Sequence, residues 1–515
     1  MLDVYAPKFL AGICAIAVSL LVGSVLRKQF TQSKKLPYPP GPRRLPLIGN
    51  FFDLLPQQLW ENAVEWGKEH GDLLYLETFG QKILIVNSYE YAKELLIRRS
   101  AIYSSRLKPI ISELQGWEWF TPFTPYGEDF RKHRSYQHRF VGSPETINYK
   151  DIQLAKTHRM LKAILDDPTE YGEHVHSLPG SVILMNVYGH EVEENDHYVS
   201  LGKQGAYHAT NTQQYTFLEV LPWLRYLPEW FPWAEFPRVA KEVRKISHAM
   251  QYDLYRLAQK KIAQGTLREC ITSVFLSENT REDGSVLDED LFTGAAATLY
   301  MGGVDTSATV IMTFFLQMLK NPEAQRRAQL EIDDIVGAER LPTFEDMQDL
   351  PYVRGICTEV LRFAVVVPLI PAHMTTEDDV FQGYQIPAGT LVFANSWKIA
   401  AMAFNPEYFP EPHKFKPERW LQKSVQGPRP NDFVFGFGRR VCPGQDWAEK
   451  LLFIVVSSIL ATFSIERAIG DDGKQISPNE EYALGFLRQL GPSKCKIIPR
   501  SPKAVSLIEN SVLAK

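Results

Sequence analysis

Apolar and polar positions divide the chain into stretches of different character. Phe9 to Leu26 (FLAGICAIAVSLLVGSVL) carries no charge. At about 1.5 Å rise per residue it spans about 27 Å, enough for a bilayer core. Only Lys8 is basic before it, whereas Arg27, Lys28, Lys34 and Lys35 follow. That asymmetry predicts a single-pass, uncleaved membrane anchor over residues 1–30 with the downstream chain in the cytosol, rather than a cleaved signal peptide. Prolines 37, 39, 40, 42 and 46 then mark residues 31–50 as a hinge. Locked φ angles and missing donors exclude helix there and suit a semi-rigid spacer.

Further on, residues 73–86 alternate as a hairpin turning at Gly80, and 87–99 return to helix. Residues 145–350 read mainly as helix. Val365–Ile370 and Leu391–Phe393 are strand-like, and a helical pattern resumes from Gln445 to about Phe463. The predicted class is mainly α with minor β. No repeat or second linker interrupts residues 51–515, which are expected to form one catalytic domain.

One helix is unusually long. Asp288 can cap its start, Pro322 follows its end, and Leu291–Leu319 between them is nearly all apolar. The exceptions sit together: Gly302, Gly303, Val304, Asp305, Thr306, Ser307. Paired glycines weaken a helix interior by about 1 kcal/mol each. Alone, the segment reads equally as a kinked core helix with a polar patch.

Composition narrows the function. The chain has 515 residues, 45% hydrophobic and 23% charged, which excludes a disordered or fibrous protein. Lys plus Arg is 56 against 60 Asp plus Glu, so no basic surplus supports nucleic-acid binding. Five scattered cysteines make no disulfide scaffold.

Cys442 has the most informative surroundings, Phe435-Gly436-Phe437-Gly438-Arg439-Arg440-Val441-Cys442-Pro443-Gly444. The loop lacks the third glycine of a dinucleotide fingerprint, the second cysteine of a zinc site and the serine of a nucleophile elbow. Gly436 and Gly438 allow a tight turn, Arg439 and Arg440 add positive charge, and a helix is expected to start after Gly444. All three favour a thiolate. A lone thiolate is either a nucleophile needing a base or a soft ligand suited to heme iron, and the residues alone leave both open.

The stretch resembles F-x-x-G-x-R-x-C-x-G, the heme-binding signature of the cytochrome P450 family, matched at Phe435, Gly438, Arg440, Cys442 and Gly444. Other segments resemble the family in order: Gly302–Ser307 its oxygen-activation segment, Glu359-Val360-Leu361-Arg362 its E-x-x-R helix, and Pro417-Glu418-Arg419-Trp420 its P-E-R-F segment. The resemblance implies the cytochrome P450 fold with one N-terminal transmembrane helix. It implies heme b with Cys442 as axial thiolate, and O2 and NADPH-derived electrons as co-substrates. By the same resemblance Asp305 and Thr306 deliver protons for oxygen activation, with the helix widened at Gly302 and Gly303. Glu359, Arg362 and Arg419 form a buried charge network.

Arg134 and His373 resemble the family's heme-propionate contacts, although Phe130 stands where tryptophan is usual, and His373 also reads as an ordinary loop histidine. Phe437 reads equally as a shield for the sulfur or as core. The substrate pocket is expected around Trp117, Phe120, Ala297, Tyr300, Val367, Ile370 and Phe486. Leu221–Phe236 reads as a segment dipping into the membrane surface or as core. The implied partners are NADPH-cytochrome P450 reductase, membrane lipid and a lipophilic small molecule, with no nucleic acid. Arg131, Lys132, Arg439 and Lys450 read equally as a docking face or as solvated charge.

The chain is similar to fungal, especially basidiomycete, natural-product members near the O-methylsterigmatocystin oxidoreductase-like group. That implies oxidation of a terpenoid at the endoplasmic reticulum membrane, or else of an aromatic polyketide or indole-type substrate. A reductase-independent heme-thiolate isomerase or dehydratase is a further alternative, and a non-catalytic heme carrier a third.

Overall fold

The computed structural model describes residues 36–54, 59–142, 149–193, 195–212, 215, 217–231, 234–396, 409–421, 427–483 and 487–513. The expected anchor, residues 31–35 of the expected hinge, and Phe486 lie outside them. The described part of the proline-rich stretch is docked: Tyr75 N donates to Pro40 O at 2.9 Å, and Gln385 N donates to Pro37 O at 2.9 Å.

The longer helices are α1 (Leu59–His70), α2 (Glu128–Gln137), α3 (Tyr149–Asp166), α4 (Tyr171–Tyr188), α5 (His197–Thr210), α6 (Phe236–Ala263), α7 (Ile271–Asn279), α8 (Glu289–Lys320), α9 (Pro322–Ile335), α10 (Pro351–Ala364), α11 (Gln445–Thr462) and α12 (Pro502–Leu513). The strands are β1 (Leu73–Thr78), β2 (Gln81–Val86), β3 (His373–Met374), β4 (Asp379–Phe381), β5 (Tyr384–Ile386), β6 (Leu391–Ala394), β7 (Phe463–Arg467), β8 (Tyr482–Ala483), β9 (Gln489–Leu490) and β10 (Cys495–Pro499).

Helix α8 is apolar on every side and is wrapped by α2, α4, α6, α10 and α11, as an all-round hydrophobic helix must be. Among the described residues it alone is long and apolar enough to cross a membrane, yet it is a core helix. The four-stranded sheet has the order β1-β2-β6-β3, with β2 and β6 parallel. Side-chain alternation splits this sheet between two cores: Leu73, Leu84 and Val86 face one, and Leu74, Leu76, Ile83 and Ile85 the other. The turn at Phe79 and Gly80 has both φ angles positive, which suits the hairpin's twist.

Two expectations fail locally. Asp288 precedes α8 but does not cap it; its φ is +55°, and its carboxylate instead takes Lys132 and Tyr136. Val365–Ile370 forms no strand. Its prolines, Pro368 and the following Pro371, remove ladder donors, and only a single bridge, Leu369 to Asn395, survives.

Helix α10 approaches the short helix Pro417–Leu421 through Gly355, where a Cβ would stand 2.7 Å from Pro417 O. Gly355→Val should therefore force the two apart and lower stability by about 1–3 kcal/mol, read as the urea midpoint of the folded protein. An unchanged midpoint would show that the contact gives way freely.

Candidate active site

The Cys442 loop is shaped by its glycines. Gly438 has φ +56°, and a Cβ there would meet Leu96 O at 2.1 Å, so only glycine fits. Cys442 N donates to Phe435 O at 2.7 Å, and α11 begins at Gln445, one residue past Gly444. The side chain of Cys442 lies deep among protein atoms and yet is accessible. Burial pushes its thiol pKa up; a hydrogen bond from Gly444 and the nearby Arg134 guanidinium oppose this without reversing it.

The charges assigned from sequence therefore need correction. Arg439 turns to Tyr126, donating to its Oη at 2.7 Å and stacking 5.0 Å from the ring centroid. Arg440 donates to Ser104 O at 2.8 Å and Thr124 O at 2.9 Å. Neither bonds to the sulfur, so the groups that favour a thiolate are the Gly444 amide and Arg134, outweighed here by burial. A coordinated metal ion favours the thiolate further. Phe437 is buried in the core with Leu95 and Leu96, which favours the packing role over a shield for the sulfur.

What Arg440 does instead is join a buried cationic cluster. Arg106 is buried, and desolvation lowers its pKa to about 9. Arg440 is lowered to about 9 by burial and by Arg106 and Arg134. Burial also lowers Arg134, with Cys442 opposing. His373 is buried on β3, and its Nδ1 lies 2.7 Å from Tyr103 O. Burial, Arg106 and Arg440 drop its pKa to about 3, so it is neutral. Arg106 Nε, Arg440 Nη1 and His373 Nε2 are buried without a partner. Orphaned donors on clustered cations call for anions, and two carboxylates on one ligand would satisfy them.

Sequence reading found Arg134, Arg440 and His373 but missed Arg106, a lone arginine after Ser104-Ser105 with no motif around it. Phe130 lacks the indole donor, yet the Arg440 guanidinium lies 3.6 Å from its ring centroid, so the position supplies a cation–π platform instead.

Glu359, Arg362 and Arg419 do come together. Arg362 grips Glu359 through Nε at 2.9 Å and Nη2 at 2.6 Å, both side chains fully buried. Arg362 Nη1 donates to Pro412 O at 2.8 Å, and Arg419 Nε lies 3.5 Å from Glu359 Oε1. Trp420, where the motif has phenylalanine, donates its indole N–H to Glu359 Oε2 at 2.8 Å. The carboxylate is thus saturated.

On α8 the helix runs without a break through Gly302 and Gly303, contrary to the expected widening. Gly303 is instead a packing residue, its Cβ position 2.4 Å from Ile183 Cδ1. Gly302 is exposed and faces open space, and Thr306 Oγ1, one turn on, donates to Gly302 O at 2.7 Å. An accessible face thus opens in the middle of a largely buried helix. Asp305 points elsewhere, to His176 Nε2 at 3.1 Å.

Comparison with known proteins decides the family. The cytochrome P450 family model matches residues 39–496. A cytochrome P450 monooxygenase of Armillaria gallica is 35% identical, covering 97% of this chain and 99% of the relative. One from Coprinopsis cinerea is 34% identical, covering 97% and 95%. The chain is a cytochrome P450. A zebrafish cytochrome P450 solved with abiraterone shares the fold, with a TM-score of 0.67 at 21% identity, over 86% of this chain and 100% of that one. The family uses heme b with a cysteine thiolate ligand, O2 and NADPH-derived electrons. Cys442, accessible and adjacent to Arg134, and the orphaned donors of Arg106, Arg440 and His373 fit that group.

Of the expected P450 pocket, Trp117 and Ala297 share one core cluster with Phe120 packed on it, and Ile370 belongs to a second. Val367 offers its carbonyl to Ser396. Arg488 N donates to Val366 O at 2.9 Å, which brings the late β8–β9 region beside the Val366–Ile370 segment. Tyr300 belongs to the same core cluster as Trp117 and Ala297, and its hydroxyl donates to Tyr198 O at 3.2 Å on α5. Of the proposed docking cations, Lys132 pairs with Asp288, Lys450 with Asp446, and Arg439 with Tyr126, so three of the four are already engaged.

Two outcomes follow for the site. Trp420→Phe should cost about 1–3 kcal/mol by leaving a buried carboxylate oxygen short of a donor, measured by urea unfolding; no loss would remove the indole from the network. In heme-free protein the raised thiol pKa leaves less thiolate at a given pH. Alkylation of Cys442 by iodoacetamide, followed by peptide mass mapping, should therefore be slower than for a free thiol at pH 8 and accelerate as pH rises. Full reaction at neutral pH would contradict the assigned direction.

Proposed function

We propose that this cytochrome P450 inserts one oxygen atom from O2 into a lipophilic small molecule of terpenoid skeleton, in a fungal secondary-metabolite pathway. Electrons come from a separate NADPH-cytochrome P450 reductase at the endoplasmic reticulum membrane, where residues 1–30 form the anchor, residues 31–50 the hinge and residues 51–515 the catalytic domain. The observation that carries the reading is the open face of α8. Gly302 leaves space in the helix's middle, and the Thr306 hydroxyl stands at its edge, next in the chain to Asp305, whose carboxylate turns to His176.

Bound heme supplies the oxygen-activating iron with its electron-donating thiolate ligand. The chain's own groups do the rest. Arg106, Arg134, Arg440 and His373 would hold the two propionates, and Cys442 Sγ would hold the metal. A hydroxyl both donates and accepts, so Thr306 Oγ1 can receive a proton and pass one on while Asp305 resupplies it.

Apolar walls support the substrate class. Trp117, Phe120, Ala297 and Ile370 bring bulk without charge, which suits a hydrocarbon-rich skeleton. The membrane reading draws on an exposed apolar stretch in which Trp223 is 60%, Tyr226 81% and Trp230 79% exposed, with Leu221 and Phe231 beside them. Leu47 and Phe52, near the hinge, are exposed as well.

The test uses membranes holding the protein with reductase, NADPH and terpenoid candidates. Thr306→Ala should keep the carbon monoxide difference spectrum while product formed per NADPH falls at least about 10-fold. Cys442→Ala should lose both spectrum and product. Turnover without reductase would favour the isomerase or dehydratase chemistry instead, and retained product in the Cys442 variant would overturn the assignment.

A further inference from the structure

We propose that His176 passes protons from solvent to Asp305, making the cleft between α4 and α5 the proton entrance of the enzyme; this rests on the reading that Asp305 resupplies Thr306. His176 Nε2 lies 3.1 Å from Asp305 Oδ1, with the two side chains 30% and 18% exposed. They share a cleft whose walls also include Ser177, Val199, Lys203 and Ala206. Its titratable groups are His176 from α4, Lys203 from α5, and Tyr300 and Asp305 from α8.

Helix geometry separates the two ends of the route. Successive residues turn by about 100° on a helix. Thr306 shares the open face with Gly302, whereas the Asp305 carboxylate is turned to the cleft. Asp305 is therefore next to Thr306 in the chain but one helical step around the axis, with its carboxylate on the His176 side.

Close packing holds the pair in place. On α4, His176, Gly180 and Ile183 lie on one face at i, i+4 and i+7. Gly180 sits against Val304, its Cβ position 3.7 Å from Val304 Cγ2, and Ile183 fills the space that Gly303 leaves. On α5, a Cβ at Gly202 would stand 2.5 Å from Tyr300. These glycines let α4 and α5 seat closely on α8, which brings the imidazole to the carboxylate. Tyr300 closes the floor through its bond to Tyr198 O.

Imidazole chemistry completes the relay. A ring with Nε2–H on the carboxylate can take a proton at Nδ1 from water while the Nε2–H bond breaks and an Oδ1–H bond forms. One proton enters and one leaves, so the ring gains no net charge. Exchange with cleft water restores the starting tautomer.

The experiment compares full-length, heme-loaded His176→Phe, His176→Gln and Asp305→Asn proteins. Glutamine keeps a hydrogen bond to Asp305 but cannot relay a proton, so it separates transfer from packing. Both His176 variants should keep the carbon monoxide spectrum, release more hydrogen peroxide and form about 10-fold less product per NADPH, with a larger solvent deuterium isotope effect on NADPH oxidation. In the resting proteins, urea midpoints of His176→Phe, Asp305→Asn and the double variant should be non-additive, which reads the contact without turnover. Additive midpoints, or a His176→Gln protein with wild-type coupling and isotope effect, would overturn the proposal. If Asp305→Asn itself stays coupled, the proton role of Asp305 fails first; if it uncouples while both His176 variants do not, only the entrance at His176 fails.

Discussion

Positive charge cannot stay buried without an answer, and this fold gathers Arg106, Arg134 and Arg440 around a neutral His373. Desolvation pulls all three guanidinium groups down, and Arg106 and Arg134 lower Arg440 further. Donors on Arg106 and Arg440 remain unpaired inside the protein. The Glu359–Arg362 pair shows the opposite solution, with a buried carboxylate saturated by Arg362, Lys416 N and Trp420. One cluster is complete in itself and serves as scaffold. The other has unpaired donors that a ligand with two carboxylates would satisfy, and Cys442 would hold that ligand's metal.

Helix α8 organises the rest because its two sides face different media. Its open face carries Gly302 and Thr306, the groups suited to oxygen and proton handling. Its other side packs on α4 and α5, where Asp305 meets His176 at a cleft. On the proposed reading, separating the two by a helical step would keep bulk water away from the chemistry while leaving a route for protons. The same helix contributes Ala297 to the apolar region shared with Trp117 and Phe120, so one rigid element carries both the Gly302–Thr306 face and part of that apolar region.

Motif residues and strong periodicities were legible in the sequence, because each answers to a local constraint. The hairpin over residues 73–86 follows from alternation, and the Cys442 loop from glycines that no other residue replaces. Residues whose role depends on distant partners were not legible. Arg106 has no motif, and only the fold brings it to Arg440. The positive charge of Arg439 and Arg440 was visible, but not their direction, away from the sulfur. Asp288 fits a capping pattern until its left-handed φ and the pull of Lys132 are seen. Tyr300 stands beside pocket residues in the helix, yet its ring fills the space left by Gly202. Trp420 reads as an imperfect match, although its indole closes the charge network.

The most direct measurement compares the affinity of the heme-free protein for heme and for heme dimethyl ester, in which both carboxylates are neutral. Heme should bind at least about 100-fold more tightly, since two charge-assisted contacts at about 1.5 kcal/mol or more each are lost with the ester. Arg106→Leu should narrow that gap. Equal affinity for the two would contradict a site built around buried cations awaiting a dianion.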